Sequence, residues 1–167
     1  NVDIELTETD WVAPSNAAPG IAYDKNPVVK NIGENDAWVR VDVTLSDAVA
    51  FRTAADKYGI TDLSTILVGL DKTNWISAGS ETYNATNNTL TYSYYYKNTL
   101  TVGSSTEALF TAVKLPGAFN NADMAAICAS DDNFTVTIKA HAIQTSDDYN
   151  TVEEAFAAYV KNMFENN

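Results

Sequence analysis

The chain has 167 residues, a net charge of −12, a single cysteine and a single histidine. That length suits one domain burying roughly two-thirds of the surface its unfolded chain exposes, so no disulfide framework is needed and a lone cysteine forms none. Ten Lys and Arg against 22 Asp and Glu exclude a nucleic-acid partner and adsorption to anionic lipid, and no apolar run approaches a membrane span of roughly 18 residues.

The sequence opens on a strand pattern over residues 2–7, where Val2, Ile4 and Leu6 alternate with Asp3 and Glu5. A loop with Trp11, Pro14 and the turn Pro19-Gly20 follows. Next comes the extended segment Lys25-Asn26-Pro27-Val28-Val29. Pro27 has no N–H to give to a ladder, which predicts a sheet edge or the first residue of a strand. A turn from Gly33 to Asp36 leads into Val39, Val41, Val43 and Leu45, alternating with Arg40, Asp42 and Thr44. The four apolar residues are predicted core, Arg40 and Asp42 are predicted to face solvent or a neighbouring subunit, and the short turn predicts a hairpin.

At Ser46 the period changes. Ser46-Asp47 reads as the N-cap of a short helix through Val49, Phe51 and Ala55, ended by Gly59. Ile66-Leu67-Val68 continues this insertion or begins a strand, and Asn74-Trp75-Ile76 reads as a strand. After a polar stretch at 81–88, TLTYSYYYK at 89–97 is strongly β-prone, with Tyr92, Tyr94 and Tyr96 on one face and Ser93 and Tyr95 on the other. A turn at Gly103-Ser104-Ser105 precedes a strand over Leu109 to Val113, and Asn121 to Ala129 suits one or two helical turns. Phe134, Val136, Ile138, Ala140 and Ala142 give the clearest strand. Thr151-Val152-Glu153-Glu154 is a capping box opening a C-terminal helix with Phe156, Tyr159, Val160, Met163 and Phe164 on one side. Residues 1–167 are thus predicted to form a single all-β domain. Its expected architecture is an antiparallel, jelly-roll-like β-sandwich with short inserted helices and a C-terminal helix.

No catalytic, metal or cofactor residues are nominated. HExxH, GxSxG, Walker and Rossmann glycine patterns are all absent. A serine triad would have to use His141, which falls on the polar face of its strand. Asp131-Asp132-Asn133 offers oxygen ligands for Ca²⁺ but matches no EF-hand spacing. The cluster Tyr92 to Tyr96, with Trp75 and Trp38, reads as a sugar-binding platform or as cross-strand packing inside the sandwich. Cys128 reads as a small buried hydrophobe, and a reactive thiol would need basic neighbours.

In order along the chain, several motifs resemble the TasA/camelysin family of exported proteins of Gram-positive bacteria, those processed by the SipW type of signal peptidase. They are Asn1 to Glu8 with Trp11, Pro19-Gly20, Lys25-Asn26-Pro27-Val28-Val29, Asn31-Ile32-Gly33 and Asp36-Ala37-Trp38-Val39-Arg40-Val41. Tyr94 to Lys97, Gly103 to Thr106, Leu109 to Val113, Ala140 to Gln144 and Thr151 to Phe156 continue the match. The resemblance implies a secreted, non-enzymatic structural protein of the biofilm matrix or cell surface. It also implies self-association into fibres through an upstream donor strand, with other matrix proteins as further partners. The expected assembly edge comprises Val2, Ile4 and Leu6 together with Lys25, Pro27 and Val29. As given, the sequence opens on the first strand pattern, and the expectation is a chain able to accept a donor strand. The alternatives are a monomeric adhesion or carbohydrate-binding module, or a camelysin-like metallopeptidase, for which one histidine supplies no recognisable zinc motif.

Overall fold

The alternation from Ala37 to Leu45 builds the central strand, and its inward side chains Val39, Val41, Val43 and Leu45 are at most 1% exposed. The computed structural model describes residues 1–8, 10–14, 17–128 and 133–165. Within these the order is β1 (Ile4–Thr7), β2 (Asp10–Val12), β3 (Ala22–Asp24), β4 (Val28–Asn31), β5 (Ala37–Leu45), α1 (Ala48–Asp56), a 3₁₀ turn (Leu63–Ile66) and β6 (Leu67–Val68). Then come β7 (Trp75–Ser77), β8 (Thr82–Asn84), β9 (Thr89–Tyr96), β10 (Ala112–Lys114), α2 (Asn121–Ile127), β11 (Thr135–Gln144) and α3 (Val152–Glu165). Asp131 and Asp132, and the side chains of Val160, Met163 and Phe164, lie outside the described residues.

The larger sheet has the order β2-β11-β5-β9-β7, with β8 also on β9, and every pairing is antiparallel. The opposite layer is built from β1-β4 and β3-β10-β6. These two small sheets are joined through the backbone. Lys25 N–H donates to the Thr111 carbonyl (3.0 Å), Leu109 N–H to Pro27 (3.1 Å) and Thr106 N–H to Val29 (2.8 Å). Residues 22–31 therefore run beside residues 103–114 as one strand interrupted at Asn26-Pro27, where proline lacks an N–H. The core lies between the layers: Val29, Leu67 and Val113 share one apolar cluster with Val41, Val43, Tyr92, Val136 and Ile138. Phe51 of α1 closes one end of it, stacked on Phe134 with ring centroids 5.2 Å apart.

Three sequence expectations are corrected. β4 and β5 do not form a hairpin. β4 pairs with β1 in one layer and β5 with β9 and β11 in the other, so the turn at 32–36 carries the chain across the core. The strand expected from Leu109 begins at Ala112, although Leu109 and Phe110 are fully buried. Asp47 gives α1 no side-chain cap and sits at φ 50°. The cap comes from the β8–β9 turn, where Asn88 accepts the Ala48 N–H on its carbonyl (3.1 Å) and the Val49 N–H on Oδ1 (3.0 Å). Those bonds satisfy donors that a helix start otherwise leaves orphaned.

The outer face of the large sheet is also covered. α3 begins where Thr151 Oγ1 accepts the Glu154 N–H at 3.2 Å, and Glu154 in turn accepts the Asn150 N–H at 2.8 Å. Its residues Val152, Ala155 and Phe156 pack with Trp38, and with Tyr95 and Ile143, in a second apolar cluster. The Phe156 ring stacks on Tyr95 at 5.5 Å and carries the Arg40 guanidinium 5.2 Å above its centre. Arg40, expected to face solvent or a neighbouring subunit, is thus partly covered by a helix of its own chain and keeps 23% of its side chain exposed on that outer face.

Candidate assembly edge

The β1–β4 pair runs from Ile4↔Asn31 to Thr7↔Val28. Upstream of it, Ile32 N–H donates to the Asp3 carbonyl (3.0 Å) and Glu34 N–H to Asn1 (3.1 Å). In an antiparallel ladder the bonded groups alternate, so the backbone of residues 1, 3, 5 and 7 faces β4 and that of Val2, Ile4 and Leu6 faces outward. Among the described residues no second strand pairs with β1. The side chains of Val2, Ile4 and Leu6 are half-buried, and Ile4 and Leu6 pack on the main core. Gly33 makes this approach possible. A Cβ there would lie 2.6 Å from the Asp3 nitrogen and 2.9 Å from the Asn1 carbonyl oxygen, closer than real side chains come.

β4 is bounded on both sides, which corrects the expectation of an open edge at Lys25–Val29. Away from β1, Asn31 N–H donates to the Ser104 carbonyl (2.9 Å) and its own carbonyl accepts from Gly103 (2.9 Å). Val29 N–H donates to Thr106 Oγ1 at 3.1 Å. The Asn31 side chain is fully buried and fully used: Nδ2 donates to the carbonyls of Asn35 (2.8 Å) and Leu100 (2.9 Å), and Oδ1 accepts from Gly33 (3.0 Å). Lys25, Pro27 and Val29 are all buried. Of the six expected edge residues, Ile4 and Leu6 lie on a strand with an unpaired side and Val2 just ahead of it, while Val29 lies on the enclosed neighbour and Lys25 and Pro27 in the buried segment leading into it. Of Asn31, Ser104 and Thr106, which close that neighbour, Ser104 was read only as part of a turn and none was expected to close an edge.

On the outer face of the large sheet, Asp42 gathers polar partners. Ser93 Oγ donates to its Oδ1 at 2.6 Å, His141 Nε2 lies 3.0 Å from its Oδ2, and Arg40 Nε lies 3.2 Å from Oδ1. Burial works to raise its pKa, but the bonds from His141 and Ser93 and the Arg40 charge outweigh it and hold the carboxyl below its ordinary range. Asp42 was expected to face solvent or a neighbour, and it is instead the centre of this cluster. Here the carboxylate stands between serine and imidazole, whereas a nucleophilic serine needs the imidazole beside its hydroxyl.

The tyrosine cluster is core packing. Tyr92, Tyr94 and Tyr96 are buried on the inner face, and burial pushes the Tyr94 and Tyr96 phenols up to about 12, Tyr96 also through its bond to Glu107. Trp75 packs edge-on to Tyr96 and its Nε1 donates to the Glu107 carbonyl at 3.2 Å. Cys128 is half-buried against the core. A buried carboxylate, Asp123 of α2, ties α2 to the end of α1. It accepts from the Tyr58 hydroxyl (2.5 Å), the Lys57 ammonium and the Asn120 N–H (3.0 Å), and the Lys57, Tyr58 and Asn120 bonds lower its pKa to about 2. Among the described residues no three His, Cys, Asp or Glu side chains gather in a metal-holding arrangement.

The chain matches no family model, no curated protein and no solved structure.

Proposed function

We propose that this chain is a non-enzymatic structural subunit of an extracellular matrix or cell surface, joining copies of itself by β-strand complementation. The two antiparallel layers we read, more finely, as a jelly roll. The observation that carries the reading is β1: it is hydrogen-bonded to β4 alone, its outward backbone groups at Ile4 and Leu6 pair with no strand among the described residues although β11 passes nearby, and its apolar side chains are only half-buried. A donor strand from another copy, supplied from upstream of the region matched by the resemblance, gains main-chain hydrogen bonds along such an edge. A contact between two different surfaces of the same molecule does not close on itself and so propagates a filament. The order of motifs that resembles the TasA/camelysin family supports the same reading, as does the Asp42-centred arrangement of Ser93 and His141, which leaves the serine without a base.

The test is electron microscopy with light scattering on the full-length secreted protein. Filaments are expected, and Ile4→Pro should abolish them while circular dichroism stays that of the folded monomer, because proline removes an N–H that the monomer does not use. Full-length protein that remains monomeric overturns the proposal, and so do filaments unaffected by the substitution.

A further inference from the structure

A second surface feature lies on the opposite edge of the large sheet from β2, where α1 runs beside β8. Between them is a groove of about 420 Å³ lined by Val49, Arg52, Thr53, Glu81, Tyr83 and Leu90. Its size and mixture of apolar wall with a few polar groups are those of a small-ligand site. Tyr83 turns to this side because its cross-strand partner is Leu90, and opposed residues of an antiparallel pair share a face. Leu90 is buried, whereas Tyr83, one strand further out, is 51% exposed and Val49 across the groove is 55% exposed.

The polar groups are held in place before any ligand arrives. Arg52 Nη1 donates to the Thr61 carbonyl at 2.7 Å, which fixes the guanidinium, and Nη2 lies 3.4 Å from Glu81 Oε1. The two bonds from α1 to Asn88 fasten the helix start to the β8–β9 turn, so the groove walls are one unit. The second Glu81 carboxylate oxygen and the Tyr83 hydroxyl make no hydrogen bond among the described residues. The groove thus presents a flat aromatic face, an apolar wall, a guanidinium fork and a carboxylate acceptor.

Charge selects among ligands. The arginine and the glutamate cancel locally, and the net charge of −12 repels anions from the whole surface. A cation at the second Glu81 oxygen would sit beside the Arg52 guanidinium, whose like charge disfavours it. A neutral ligand with adjacent hydroxyls and an apolar C–H face meets every group without unpairing any of them. We propose that this groove binds a hexose unit of a neutral glycan, its ring stacked on Tyr83 and its neighbouring hydroxyls shared between Arg52 and Glu81. The site lies on α1 and β8 and does not depend on strand exchange at β1.

The test is an NMR titration of the full chain with maltose, cellobiose and chitobiose, with glucuronate as the anionic control. At least one neutral disaccharide should give saturable amide shifts confined to residues 48–53 and 81–90, with glucuronate much weaker. Tyr83→Ala should weaken that binding by about tenfold or more, and Tyr83→Trp, which keeps a stacking face, should retain it. Tyr83 is exposed, so the spectrum of each variant should stay that of the folded chain. No saturable shift with any of the three sugars, shifts mapping elsewhere, an affinity unchanged by Tyr83→Ala, or glucuronate binding as tightly would each overturn the proposal.

Discussion

β5 and β1 carry the same kind of sequence, an apolar residue at every second position, and end in opposite physical situations. β5 is paired along both edges, faces the core with Val39, Val41, Val43 and Leu45, and has its outer face covered at Arg40 by Phe156. β1 is hydrogen-bonded to β4 alone among the described residues, and Ile4 and Leu6 stop at half-burial. Alternation therefore specifies which way side chains point. How deeply they are buried depends on what else pairs and packs there: β5 is hydrogen-bonded along both edges, whereas β1 is hydrogen-bonded along one.

Equivalent leucines measure this difference. Leu45→Ala should cost about 2–5 kcal/mol in urea unfolding, the usual range for emptying a packed core site. An added methyl at Gly33 collides with the backbone of Asn1 and Asp3, so Gly33→Ala should cost about 1–3 kcal/mol, as overpacking does. Its signature should be faster amide exchange at Asp3, Glu5 and Thr7 with β5 unchanged. Leu6→Ala should cost only about 1 kcal/mol, since a half-buried side chain removes less apolar area from water. A Leu6→Ala penalty equal to that of Leu45→Ala would mean that β1 is as firmly built in as β5.

Acid should loosen a third place, distant from β1. The folded Asp123 carboxyl titrates at about 2 against an ordinary 3.8, so the stability it confers is complete above its ordinary pKa and is lost as pH falls toward about 2. Melting temperature measured from pH 5 to pH 2 should fall less steeply in Asp123→Asn than in the parent chain. Equal slopes would show that the α1–α2 tie carries no pH-dependent stability. Asp42, whose pKa is lowered in the same direction, adds to the same acid limb and should persist in that variant.

Much of this fold was legible in the sequence because period and caps are local signals. The faces of β5, β9 and β11, the inward tyrosines, the left-handed stop at Gly59 and the start of α3 at Thr151 all follow from residues within one or two turns of each other. What was not legible depends on partners far along the chain. The stretch 103–106 has no periodicity, yet it closes the edge of β4 through Ser104 and Thr106, so an edge read from Pro27 turned out enclosed. Gly33 to Asp36 has hairpin chemistry, but nothing local tells a turn back from a crossing between layers. Arg40 and Asp42 are polar as expected, and what half-buries them is distant in sequence: Phe156 of α3 over Arg40, and Ser93 and His141 beside Asp42. The groove at Tyr83 arises where β8, formed within a stretch read as polar and turn-rich, meets a helix, which no pattern within 81–88 announces.

The most direct test is hydrogen exchange at single residues in β1, on the monomer and on assembled full-length protein. In the monomer the outward amides of Ile4 and Leu6 should exchange quickly while those of Glu5 and Thr7, directed at β4, are protected. On assembly Ile4 and Leu6 should become as slow as their neighbours. Outward amides that exchange equally fast before and after assembly would contradict strand complementation at this edge.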